Sequence, residues 1–183
     1  MKKFLFFVCT VSLAACTGSQ FKTEVAQIDS LLQEADKLEK GMLAVDTIRL
    51  DSISMEASNN INHIKRVYDT DTIDMVEARG VTTYKSLRKI SGRSKSERRK
   101  IWKEMGLTKK QLTTLKSDLE RGIPDEPTAK KYVQEEKLAF KALVGMIDNY
   151  HYNIDWAYKQ FDSLTPVIQQ IIIREDQEAA LKK

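Results

Sequence analysis

Only two histidines occur in the 183-residue chain, and each has a polar residue three positions upstream: Asp148 before His151, and Asn60 before His63. On a helix, positions three apart share an edge, so Asp148 and His151 would point the same way, with Asp155 one turn further on. A two-metal centre in a helical bundle takes two Glu-x-x-His units from facing helices plus further carboxylates. Here Asp148 stands where such a unit has Glu, and Asn60 is a poor ligand for iron. We therefore expect His151 to be a surface histidine beside Asp155, with no metal site and no cofactor. Nucleophilic catalysis needs a serine or cysteine held against a base and an orienting partner. The chain has no G-x-S-x-G elbow and no glycine-rich phosphate loop, and its cysteines are Cys9 and Cys16 alone. No catalytic residue, no small-molecule substrate and no enzymatic activity are expected.

The cysteines belong to a different chemistry. Met1-Lys2-Lys3, the apolar run from Phe4, and Leu13-Ala14-Ala15-Cys16 follow the charged, apolar and small-residue order of a secretory signal. Phe4 to Ala15 is 12 residues, well short of the roughly 20 needed for a stable membrane span. Leu13-Ala14-Ala15-Cys16 resembles the lipobox of bacterial lipoproteins. The resemblance covers the first 16 residues. It implies that the Cys16 thiol is diacylglycerated, that the chain is cut before it, and that the new amino terminus is acylated. Two or three acyl chains, at about 0.8 kcal/mol per buried CH₂, hold a protein on a membrane essentially permanently. The implied organisation is a signal peptide over 1–15, a lipidated cysteine and short tether over 16–22, and a folded domain over 23–183. Thr17 replaces the aspartate that, by that family's sorting rule, retains a lipoprotein at the inner membrane, so the periplasmic face of the outer membrane is expected. With Cys9 lost and Cys16 acylated, no disulfide remains, and packing alone must hold the domain.

Secretion also decides how the charge is read. Residues 24 to 77 carry a net charge of −7, residues 79 to 116 of +11, and residues 117 to 183 of −3. A run such as Lys85, Arg88, Lys89, Arg93, Lys95, Arg98, Arg99, Lys100 and Lys103 would point to nucleic acid inside a cell. Outside the cytoplasm that partner is gone. Arg93, Lys95, Arg98, Arg99, Lys100 and Lys103 then become candidates for an anionic surface, since clustered bases contribute about 1 kcal/mol each near anionic lipid. The simpler expectation is a solvated face partly neutralised by the acidic first helices.

Two further features point to protein partners. Tyr152 and Trp156 lie four apart, off the main apolar seam of their segment, with Tyr158 nearby. Such aromatics either pack on a second neighbour or form an exposed patch; in a bundle the second neighbour is the expectation, and exposure would mark a partner site. Leu107-Thr108-Lys109-Lys110-Gln111 resembles the L-T-x-x-Q motif of small periplasmic chaperones and stress sensors of the Spy and CpxP kind. That resemblance covers five residues and implies a cradle that shields unfolding clients without ATP. The family carries the motif twice, whereas Leu164-Thr165-Pro166-Val167-Ile168-Gln169 is one residue too long. A structural or adaptor-like lipoprotein meeting partners through helix faces is the leading expectation.

Helices must position these residues. Only 7 Gly and 3 Pro punctuate the chain, and helix formers fill the intervals. Phe21, Val25, Ile28, Leu32, Ala35 and Met42 make one apolar stripe, loosened near Gly41. A second helix is expected over residues 46 to 68 on Ile48, Ile53, Ala57, Ile61, Ile64 and Tyr68. A third is expected over 71 to 90 on Ile73, Val76, Val81, Tyr84, Leu87 and Ile90, with caps from Asp69 to Thr72. Ser91 to Ser94 reads as a break, Ser94 and Glu97 as a capping box, and Gly106 as a stop. Thr108 and Gln111 read as a second box, with Leu112, Leu115 and Leu119 behind it. Gly122 and Pro124 should close that helix. Phe140, Leu143, Ile147, Tyr150, Ile154, Ala157, Phe161 and Leu164 form a coiled-coil-like seam. Thr165-Pro166 then reads as the start of a last helix. These elements predict an all-α bundle of six or seven helices in antiparallel hairpins around one long helix.

Overall fold

Repeats of three and four become helices throughout the computed structural model, which describes residues 20–67 and 75–181. Cys16, the start of the tether, Tyr68, the caps from Asp69 to Thr72, and Ile73 lie outside the described residues. The elements are α1 (Lys22–Leu43), α2 (Thr47–Val67), α3 (Met75–Ser86), a 3₁₀ turn (Leu87–Lys89), α4 (Ile90–Glu120) and α5 (Glu126–Leu181). The fold is an all-α bundle of antiparallel hairpins with one long helix, as the sequence predicts. Among the described residues no helix is long and apolar enough to cross a membrane.

Side-chain pairs set the directions. Lys109 Nζ reaches Asp36 at 2.7 Å and Glu39 at 2.8 Å, and Lys116 Nζ reaches Asp29 at 2.6 Å, so α4 runs antiparallel to α1. Arg49 meets Asp162 at 2.9 Å and His63 meets Asp176 at 2.9 Å, so α2 runs parallel to α5. Arg174 holds Glu77, and Tyr84 stacks on Phe161, which places α3 antiparallel to α5. The molecule thus has three legs: α1 followed by α2, then α3 followed by α4 in return, then α5 unbroken. With 56 residues, α5 is about 84 Å long at about 1.5 Å per residue.

Two apolar clusters lie along this spine. Phe21, Ile28 and Ala35 of α1 pack with Leu112, Leu115 and Leu119 of α4 and with Ala129, Val133 and Phe140 of α5. Beyond them Leu50, Ile53, Ala57 and Ile61 of α2 pack with Tyr84, Leu87, Ile101 and Met105, and with Tyr150, Ile154, Ala157, Ile168 and Ile171 of α5.

Several expected breaks are absent, which leaves five α-helices among the described residues. Ser91 to Ser94, Gly106 and Thr108 all lie inside α4. Neither predicted capping box forms. Ser94 is buried, with its hydroxyl 3.0 Å from that of Tyr150, and Thr108 is buried in mid-helix. A mid-helix glycine costs only about 1 kcal/mol relative to alanine, which the buried face from Ile90 through Leu119 outweighs. The true interruption falls earlier, at the 3₁₀ turn, where Ser54 Oγ donates to the Arg88 carbonyl at 2.6 Å. Pro166 likewise fails to start a helix and sits within α5. Thr165 Oγ1 donates to the Phe161 carbonyl at 2.7 Å, back along the turn that the proline disturbs. Ile48 and Val76, expected on buried faces, are each 78% exposed. Both sit in first turns, which the neighbouring legs do not cover.

The punctuation that holds is specific. Gly122 has φ +66, a left-handed conformation that non-glycine residues rarely adopt, and it ends α4. Asp46 and Asp125 accept from the backbone amides of Arg49 at 2.9 Å and Thr128 at 3.0 Å, capping α2 and α5.

Candidate functional site

The seam of α5 faces the other legs, so residues half a turn away face solvent. Tyr152 is 68% and Trp156 36% exposed, and Leu138 lies on the same outer side about four to five turns earlier. The expected second packed neighbour is therefore absent for Tyr152, and Trp156 is only partly covered. Tyr158 has one. Its hydroxyl donates to the Asp46 carbonyl at 2.9 Å, the Arg49 guanidinium lies 4.2 Å from its ring centroid, and burial raises its phenol pKa above the ordinary value. Tyr158 joins the α1–α2 corner to α5; Tyr152 and Trp156 remain as the accessible pair.

The basic residues do not converge. At about 100° per residue, Arg93, Lys95, Arg98, Arg99, Lys100 and Lys103 spread over the whole solvent arc of α4. Lys95 is engaged by Asp51 at 2.8 Å, and Ser91 also donates to that carboxylate. Hydrogen bonds from Lys95 first, then Ser91, hold Asp51 below the usual carboxylate range. Arg99 Nε lies 3.5 Å from the Lys95 carbonyl of its own helix. Further along α4, hydrogen bonds from Lys109 lower the Asp36 pKa, and those carboxylate contacts raise that of Lys109. The acidic first leg thus neutralises part of α4.

His151 is half-buried beside Gly41, where an added Cβ would lie 4.0 Å from its Nε2, and it packs edge-on to Tyr150. Asp148 and Asp155 are exposed. Among the described residues no three His, Cys, Asp or Glu side chains gather as a metal ligand set. His63, read alongside Asn60, instead pairs with Asp176, while Asn60 Nδ2 donates to the Tyr84 hydroxyl at 3.0 Å. Thr165 Oγ1 lies 3.3 Å from that same hydroxyl. Asn60 and Thr165, both half-buried, thus satisfy the buried Tyr84 hydroxyl, which serves packing specificity.

A groove that the sequence does not announce lies on the α4/α5 hairpin. Leu107, Lys110, Gln111, Thr114, Leu115 and Asp118 form one wall, and Tyr132, Glu135 and Glu136 the other, around about 410 Å³. No α1 residue lines it, because α1 packs on the opposite side of the hairpin. Glu136 Oε2 is buried and has no hydrogen-bond partner among the described residues. Burial, and then the neighbouring charge of Glu135, push the Glu136 pKa above the ordinary glutamate value. Leu107 and Gln111 of the L-T-x-x-Q stretch line this groove. The sequence signal for it is weak: Glu135-Glu136 follows Lys130-Lys131 and reads as a solvated helix face.

No family model and no curated protein matches the chain, and no solved structure matches its fold.

Proposed function

We propose that this chain is a lipid-anchored envelope protein, attached through Cys16 to the periplasmic face of the outer membrane. On this reading it acts as a non-catalytic adaptor that binds a protein partner through the outer face of α5. The order of charged, apolar and small residues before Cys16 supports the anchor. The observation that carries the adaptor role is the exposure of Tyr152 and Trp156, one turn apart on the side of α5 away from its core. Aromatic residues of this kind are common binding anchors at interfaces, because they bury large area with few rotatable bonds. A second reading, a chaperone of the Spy kind, draws on exposed apolar residues in every α-helix, among them Leu43, Met55, Met75, Leu107 and Leu138.

In-cell photo-crosslinking from positions 152 and 156 tests both. One or two discrete adducts are expected, lost when the neighbouring aromatic becomes alanine; a smear of many clients would replace the adaptor with the chaperone. Self-adducts alone would overturn both. Metabolic labelling with a clickable fatty acid tests the anchor: label is expected on the wild type and absent from Cys16→Ala, and any other pattern would discard it.

A further inference from the structure

The α4/α5 groove differs from the outer face of α5 in carrying an unmet electrostatic requirement. A buried acceptor without a donor is costly, and native proteins leave few of them. Glu136 Oε2 is such an acceptor, itself covered, while the rest of its carboxylate lines an open groove where a cation can compensate its charge. The nearby charges make the requirement cationic. Asp118, Glu135 and Glu136 line the groove against one base, Lys110. Asp118 already pairs with Arg121 at 2.6 Å and Glu135 with Lys131 at 3.8 Å, whereas Glu136 takes part in no ion pair among the described residues.

Shape narrows the occupant. On α4 the wall runs from Leu107 to Asp118, about 16 Å at about 1.5 Å per residue. Leu107, Leu115 and Tyr132 supply apolar surface along it. The hairpin presents two sides to a third helix: α1 fills one, and the groove is the other. An amphipathic helix laid into an apolar groove is a standard recognition geometry.

We propose that the α4/α5 groove docks a basic amphipathic helix of a partner protein, its apolar face on Leu107, Leu115 and Tyr132 and a lysine or arginine donating to Glu136. The basic stretch of a second copy does not supply that helix. Its own basic stretch lies on α4, where Ile90, Ile101 and Met105 already face the core and no large apolar residue from Arg93 to Lys103 is exposed. The docking needs neither the outer face of α5 nor the lipid.

The test uses the full chain in zwitterionic lipid nanodiscs, with empty discs as background. The probe is a fluorescent 14-residue helix of leucine and lysine; the same helix with glutamate for lysine is the control. Saturable binding of the lysine peptide is expected. Glu136→Gln should weaken it at least about tenfold, in line with a hydrogen bond to a charged group. Tyr132→Ala should also weaken binding, and Trp156→Ala should leave it unchanged. Affinity within twofold of wild type for Glu136→Gln, equal binding of the glutamate peptide, or binding no greater than to empty discs would each overturn the proposal. So would a crosslinker at Thr114 that captures only identical chains.

Discussion

The two ends of α5 are held in different ways. Around its first half, the core is aliphatic apart from Phe21 and Phe140, the three legs are regular, and ion pairs from Lys109 and Lys116 to Asp36, Glu39 and Asp29 align α1 with α4. Around its second half, the legs are interrupted by the 3₁₀ turn and disturbed by Pro166. There tyrosine hydroxyls are tied inside the core, Tyr150 to Ser94 and Tyr84 to Asn60. Regular helices have near-equivalent registers one turn apart, which exposed charges of about 0–1 kcal/mol each can only bias. Buried hydroxyls must find their partners or pay desolvation, so they select one arrangement. The half with broken helices therefore carries the stronger specification, and the regular half keeps an open groove.

The largest test of this contrast compares Ile28→Ala with Ile53→Ala, one in each core and both fully buried. Each should cost about 2–5 kcal/mol. Because α4 and α5 run through both cores, one cooperative denaturation transition is expected in each variant. A separate early transition in Ile28→Ala, with Tyr150 amide protection retained, would show two independent units. Next, Pro166→Ala should stabilise the second half by up to about 3 kcal/mol, the usual cost of an interior proline. No gain would mean that surrounding packing has absorbed the defect. Smallest, Gly106→Ala should add about 0.5–1 kcal/mol, since an added Cβ meets nothing within 4 Å. A loss on thermal unfolding would show that α4 needs flexibility there.

The legs were legible where a helix meets one layer along its length. Phe140, Leu143, Ile147, Tyr150, Ile154 and Ala157 keep a single buried face, so their spacing reads directly. Local punctuation was less informative, because Gly106, Thr108 and Ser94 sit where long-range burial outweighs propensity. The Tyr84 cluster joins residues 24 and 81 positions apart, and no local pattern encodes such a meeting. Tyr152 and Trp156 could be singled out as off the seam, but their exposure depends on which faces of α5 the other legs cover. Glu136 was hidden for a related reason: its burial comes from its place on the α4/α5 hairpin, while its neighbours in sequence are charged.

The parallel course of α2 and α5 also has a mechanical consequence. The described chain enters at Gln20, beside the start of α5, and leaves at Leu181 near the far end of the bundle. Tension applied between those points would load the legs in shear, straining the pairs Arg49–Asp162 and His63–Asp176 together rather than peeling them one at a time. Under the proposed anchor, the bundle would stand as a strut, its distal end up to about 80 Å from the lipid by the length of α5.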